Sequence, residues 1–360
     1  MSVELIVNGK RFGGWERISI DRGIEQMSGL FDLTVTDKWN SPTGQLMAEI
    51  KAGQSCEVTV AGSTVITGYI DAVHRGYDAR SHEINLSGRD KAGDLIDCSA
   101  IYKTGAWSNK RIEQIAADLC APFGIKVSAQ APTGAALPAF SIQEGETVYE
   151  AIERAARMRA LLVISDGLGG IVLTRASRAR APADLIEGQN ILQADGEFNM
   201  ADRFSDYIIK GQAQGDDNIH GAAVAHPSAT CKDSGVPRYR PLIVIAEDQG
   251  GTATFAERAT WERNIRAGRG TRATVTVNGW AVGGKVWQPN TITRLTSPFL
   301  NADHELLIAS VRFTLDDRAG ALTTLELARP EAYDTIIEDV SPRRNKKKKQ
   351  ADEEWDGGEL

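Results

Sequence analysis

A pattern met twice constrains this chain more than anything else in it. Residues 70–90, IDAVHRGYDARSHEINLSGRD, read as two strands, Gly68 to Tyr77 and His82 to Leu86, joined at Asp78-Ala79-Arg80-Ser81. Residues 308–329, IASVRFTLDDRAGALTTLELAR, read the same way, with the turn at Asp316-Asp317-Arg318-Ala319-Gly320. Ile70, Val73, Asp78 and Arg80 match Ile308, Val311, Asp316 and Arg318 at one offset of 238 residues. An echo precedes this: Asn8-Gly9 then Gly13-Gly14 recurs as Asn278-Gly279 then Gly283-Gly284. Two matches in the same order point to one β-domain used twice.

The rest of the chain sets limits on function. Its 360 residues leave room for more than one domain with its own core. A net charge of −7 is not the basic footprint of a general DNA-binding protein, but it suits a surface that nucleic acid slides past. Cys56, Cys98, Cys120 and Cys231 show no metal-ligand spacing and are expected to be buried free thiols. The strand-like run VELIVNG begins already at Val3, so no secretory leader is expected. No apolar run reaches the length of a membrane span, so no membrane insertion is expected.

The expected fold class is mainly β with an α+β insertion. Two related tube-like β-barrel domains are joined by a small α/β module and carry a surface helix. Residues 1–99 hold short strands such as Phe31–Thr36, where Phe31, Leu33 and Val35 alternate with polar neighbours. Residues 100–180 form the α/β module. There Ser108 is expected to cap a helix with the apolar stripe Ile112, Ile115, Ala116 and Leu119. Thr147 and Glu150 form a capping box that opens a second helix. Residues 181–333 form the second barrel domain, with a long loop at 212–240 and a charged helix at 252–268. A further capping box is read at Thr254 to Glu257, and Glu262 and Arg266 are spaced for an i,i+4 pair. Residues 334–360 read as a disordered charged tail with Lys346–Lys349 followed by acids.

The motifs that could carry chemistry fall short. Gly279 to Lys285 approaches a phosphate-binding loop, but Val286 stands where Ser or Thr is needed and a strand follows, so a glycine turn is the better reading. His304-Glu305 begins a zinc-protease motif, but Ile308 replaces the second His. His74 and His82 flank one hairpin without a third ligand, and His220 and His226 could meet an ion only around a threefold axis. No Gly-x-Ser-x-Gly elbow and no clear carboxylate dyad appear. No catalytic, cofactor-binding or metal-ligating residue is therefore assigned, and no cofactor is expected.

Several segments resemble the late-control-D family of contractile-tail hub proteins. They are Thr67-Gly-Tyr-Ile-Asp71, Leu86-Ser-Gly-Arg-Asp90, Asp94-Leu-Ile-Asp97, Gln143-Glu-Gly-Glu-Thr147, Gly283-Gly-Lys-Val-Trp287-Gln-Pro-Asn290 and Leu325 to Tyr333. The likeness spans most of residues 3–333, and the sequence looks like the hubs of Mu-like phages and prophages. The amino-terminal part of the type VI spike protein VgrG is a more distant relative. The resemblance implies a homotrimer whose paired barrels form a pseudo-sixfold ring. That ring would join the sixfold tail tube to a separate threefold spike, contact other baseplate proteins, and let DNA pass without specific binding. It implies a structural virion protein, assembled in the host cytoplasm, and not an enzyme. Ile70, Val73, Ile308 and Val311 are expected in the barrel cores, with Trp280 and Trp287 in the second barrel or at an interface. The alternatives are a tail-associated peptidoglycan hydrolase and a host-surface binding module; aromatic content of 6% does not favour the latter.

Overall fold

Two strands of fifteen residues, Ser63–Tyr77 and Ala302–Asp316, organise the molecule. The computed structural model describes residues 2–36, 49–78, 82–210, 228–245, 252–316 and 318–333. Each long strand is broken by a bulge, at Asp71 in one and Ala309 in the other. An extra residue bends and twists a strand, so its two halves can serve different sheet neighbours. The first halves pair with Ser55–Val60 and Ile292–Ser297. The second halves pair, on the opposite edge, with His82–Asp90 and Gly320–Ala328.

The repeat seen in the sequence is thus a repeat in hydrogen bonding. Ile70 pairs with Gly88 just before one bulge, and Ile308 with Leu327 just before the other. Gly88 then faces Phe31 of Leu30–Thr36, as Leu327 faces Ala273 of Thr271–Asn278. Bulk is exchanged between the two pairs: the large ring sits over glycine in one, and the large Leu over alanine in the other. Ile70, Ile308 and Val311 are fully buried, whereas Val73 is half-buried at the margin of the same core.

The Asn-Gly echo has a different basis. Asn8 and Gly9, both at positive φ, close the tight hairpin of Val3–Val7 with Lys10–Phe12. Asn278 instead ends the strand that corresponds to Leu30–Thr36. The likeness reflects shared turn chemistry, not a shared place in the repeat.

The two strand sets do not close on themselves among the described residues. They join end to end. Arg17–Gly23 pairs with Leu30–Thr36 on one side and with residues 310–315 of the second long strand on the other. This seam merges both sets into one sheet of 13 strands. A single core lies beneath it, from Leu5, Ile20 and Leu33 to Val275, Phe313 and Leu325. Each such side chain contributes about 1.5–3 kcal/mol on burial. Trp280 and Trp287 are buried in this core, and Trp280 Nε1 donates to the Thr314 carbonyl at 3.0 Å.

A second core forms where helices Ile112–Cys120 and Val148–Arg157 cover the sheet of Lys126–Ala129, Leu162–Ser165 and Gly170–Thr174. The Thr147 box is present: Glu150 N donates to Thr147 Oγ1 at 3.2 Å and Thr147 N to Glu150 Oε2 at 2.7 Å. Ser108, however, caps nothing. It lies in the strand Ala106–Lys110, and the first helix is opened by Arg111, whose N–H donates to Gln114 Oε1.

The third unit departs further from expectation. Ser228–Lys232, inside the expected loop, is a strand paired with Asp206–Lys210, which also pairs with Pro241–Ile245. The helix runs Thr252–Arg269, so it starts ahead of Thr254 and the box there does not begin it. It is more than a surface helix: Phe255 and Ala259 are buried against Ile209. Glu262 is buried too, between Arg258 at 3.6 Å and Arg266 at 3.2 Å.

Candidate functional site: a polar sheet face and two open edges

Strand alternation gives the seam region two unlike faces. Ile18, Ile20, Leu33, Leu86, Val311, Phe313 and Val275 point into the core. Arg17, Ser19, Asp21, Asp32, Glu83, Asn85, Arg272, Thr274, Arg312, Asp195 and Glu197 lie on the other side.

Polar bonds run across that face from strand to strand. Arg17 Nη2 lies 2.9 Å from Glu83 Oε2, spanning the strand between them. Asn85 Nδ2 donates to Asp32 Oδ1 at 2.7 Å, and Thr276 and Thr324 hydroxyls are 3.3 Å apart. Arg312 donates to Asp21 across the seam. Arg89 holds both Asp97, at 2.6 Å, and Asp71, at 2.8 Å; these bonds raise the Arg89 pKa further above its usual range and hold Asp97 below the usual carboxylate range. Carboxylates at Asp21, Asp32, Asp71, Glu83, Asp195, Glu197 and Glu326 outnumber guanidiniums at Arg17, Arg89, Arg272 and Arg312. The face is polar, cross-braced and acidic in balance.

Charged groups also lie on the buried side. Arg22 is almost fully buried near Asp90 and Asp166, and burial lowers its pKa against the pull of both carboxylates. Burial likewise raises Asp90, although Gly29 N at 2.8 Å, Ala92 N at 2.9 Å and Ser28 Oγ at 3.1 Å all donate to it. This cluster ties the end of the seam strand to the turn at 166–170 of the α/β module.

The repeated strand sets leave two edges open among the described residues. Ile191–Phe198 pairs with Thr271–Asn278 on one side only. Beyond its bulge, the first long strand pairs only with His82–Asp90. Its counterpart, the second long strand, has the equivalent edge covered by Arg17–Gly23. Large apolar side chains stand out along the open edges: Tyr77 is 83% exposed, Leu192 61% and Phe198 49%.

The residues weighed from the sequence are dispersed. His74 lies on the polar face, while His82 stacks on Tyr77 with ring centroids 5.7 Å apart. Gly283 and Gly284, both at positive φ, form the turn of a minimal hairpin between Ala281–Val282 and Lys285–Val286. His304 and Glu305 lie within the second long strand. Cys56 and Cys120 are buried, but Cys98 is exposed and Cys231 half-buried, contrary to expectation. Residues 79–81, Asp317, His220, His226 and the tail from 334 fall outside the described residues. The strand Ile191–Phe198 is absent from the sequence reading. At Ala194 and Gly196 its core-facing residues are small where Arg17–Gly23 has Ile18 and Ile20, and a register shift after Ile191 interrupts the alternation. The repeat itself was the signal that could have found it.

Comparison with known proteins gives this arrangement a class. Residues 2–90 match the Mu phage baseplate assembly protein GpP-like N-terminal family, and 251–336 the GpP fourth domain. Residues 92–175 match the second domain of baseplate hub protein gp44-like proteins, and 203–260 the third domain of NMB1110-like tail proteins. None of these families describes an enzyme. The chain is a structural component of a phage tail baseplate.

It is 36% identical over 355 residues to baseplate hub protein gp44 of Escherichia phage Mu, covering 96% of this chain and 92% of that protein. The chain belongs to the phage Mu gp44 family of baseplate hub proteins. Its structure matches the 43 kDa tail protein of prophage MuSo2 from Shewanella oneidensis, with TM-score 0.81 and 37% identity, covering 93% of this chain and all of that one. It also matches a Neisseria meningitidis tail protein, with TM-score 0.75, 26% identity and coverage of 93% and 99%. A type VI secretion component of E. coli shares the fold alone, at TM-score 0.57 and 9% identity, with coverage of 92% and 79%.

Proposed function

We propose that this baseplate protein works as a homotrimeric ring that joins a sixfold tail tube to a threefold spike and continues the channel for DNA. The observation that carries this reading is the end-to-end repetition within the long sheet. One strand set follows the other in the same order and the same direction around the sheet. A chain holding two equivalent units lets three copies present six similar positions to one neighbour and three identical ones to another.

The polar sheet face supplies the wall of the channel. Its carboxylates repel a passing phosphate backbone, and its cross-strand bonds keep the side chains from reaching out to it. Residues 1–99 and 181–333 build the ring, and 100–180 forms a lateral module for other baseplate proteins. Assembly takes place in the host cytoplasm. The role needs no catalytic group.

Sedimentation velocity of the purified protein tests this directly. The expected result is one species of three chain masses; a monomer at micromolar concentration overturns the ring.

A further inference from the structure

The third unit leaves one strand uncovered on its outer side. Asp206–Lys210 is the middle strand of its small sheet, between Ser228–Lys232 and Pro241–Ile245. The helix Thr252–Arg269 packs on the first two of these strands. Pro241–Ile245 has no outer partner among the described residues. The ladder fixes which of its groups point outward. Ser205 N donates to the Arg240 carbonyl at 2.8 Å, and in a parallel pair alternate residues bond the same neighbour. Leu242 and Val244 therefore bond inward to Asp206–Lys210. Ile243 and Ile245 turn their N–H and C=O groups outward. These two residues are 54% and 78% exposed, and Leu242 and Val244, on the helix side, are only half-buried.

Charge selects the occupant. Residues 203–210, 228–245 and 252–269 hold nine Lys and Arg against four Asp and Glu, whereas the whole chain carries a net charge of −7. On the face away from the helix, Lys210 lies opposite Ile245 and Lys232 opposite Asp206. An acidic, apolar strand suits such an edge. Asp334-Thr-Ile-Ile-Glu-Asp-Val340 has that chemistry, with three carboxylates and three branched apolar side chains, and no Lys or Arg follows before Arg343. Four of its seven residues are β-branched, and Pro342 would end a strand formed there.

The segment starts within reach. The last described turn, Pro330–Tyr333, packs on the end of the helix, where a Cβ at Gly268 would lie 2.5 Å from Ala332 N. At that same end the Arg266 and Arg240 guanidiniums lie over the Phe204 ring, 5.6 and 5.1 Å from its centroid. Arg240 directly precedes Pro241–Ile245, so the chain passes Tyr333 at the end of the helix where the open strand begins. Crossing the helix takes about 10 Å, and residues 334–341 reach about 26 Å when extended.

We propose that residues 335–341 add to the third unit as a fourth strand, parallel to Pro241–Ile245, and bond the outward N–H and C=O groups of Ile243 and Ile245. An apolar edge left open is a template for stray strands; its own chain covers this one. The contact lies outside the two strand sets, so it stands or falls independently of the ring.

Hydrogen exchange of the Ile243 and Ile245 amides reads the contact. The full chain is compared with the full-length variant Ile336→Lys, Ile337→Lys. Both amides are expected to exchange at least about tenfold faster in the variant. The Leu242 and Val244 amides, which bond Asp206–Lys210, are expected to stay protected in both proteins and so report that the unit remains folded. A synthetic peptide of residues 334–342, added to the variant, is expected to restore the protection. Equal exchange of Ile243 and Ile245 in parent and variant overturns the proposal. Protection that is indifferent to the variant but grows with protein concentration assigns the edge to a second copy, and overturns it too.

Discussion

The Arg312 guanidinium donates to the Asp21 carboxylate across a sequence separation of 291 residues. The pair sits on the polar face where the two strand sets meet. Arg312 remains more than half exposed, so its charge is well hydrated and screened. A double-mutant cycle with Arg312→Ala and Asp21→Ala should return a coupling of about 0.2–1 kcal/mol, smaller at high salt. On the opposite face of the same strand, Phe313→Ala should cost about 3–5 kcal/mol. Urea denaturation of the four variants separates the two effects.

The glycines of the first hairpin differ sharply in what they tolerate. A Cβ at Gly68 would lie 1.9 Å from the Arg89 carbonyl, and one at Gly88 2.1 Å from the Tyr69 carbonyl and 2.5 Å from the Phe31 ring. Backbone cannot yield as a side-chain tip does. Gly68→Ala and Gly88→Ala should each cost about 2 kcal/mol or more. Gly76→Ala, which meets only the His74 ring at 3.6 Å, should change the melting temperature little. Thermal denaturation of the three variants checks the ranking.

In the third unit, Arg203 grips Asp233 through two bonds, of 2.6 and 2.9 Å. Burial works to raise the Asp233 pKa, but the guanidinium and the Gly235 N–H outweigh it and hold the carboxyl below its ordinary value. The unfolded chain therefore binds more protons as acid is added. The pair's contribution is full above about pH 5 and fades as pH falls below about 4. Arg203→Ala should cost about 2–3 kcal/mol at neutral pH and flatten this acid limb. Stability measured between pH 3 and 7 for both proteins tests the sign.

The capping box at Thr147 is a local feature with a local cost. Thr147→Ala removes the acceptor for Glu150 N and should destabilise the module by about 1 kcal/mol. Thr147→Ser should recover most of it. Hydrogen exchange of Glu150 N reports the loss directly.

What could be read from the residues was what short-range chemistry writes. The hairpin offset was legible because Ile70, Val73, Ile308 and Val311 flank equivalent bulges, and a bulge fixes its neighbours' spacing. The Thr147 box was legible because both partners lie within one turn. Ser108 misled because a polar residue ahead of an apolar stripe looks the same in a strand as at a cap. The helix over 252–269 misled because its charge obscured the buried Phe255 and Ala259. The seam was not legible at all, since nothing in Asp21 or in Arg312 names the other. The open edge at Ile191–Phe198 escapes because Ala194 and Gly196 are small and a register shift follows Ile191, so it lacks the alternation that marks a strand.

The seam also sets an order of events during synthesis. Arg17–Gly23 leaves the ribosome early, but residues 310–315, which cover its outer edge, come about 290 residues later. At about 5–20 residues per second, that edge stands uncovered for roughly 15–60 s. Ser19 and Asp21 point to its polar side, which makes it a poor template for stray strands while the nascent chain waits for its own far end.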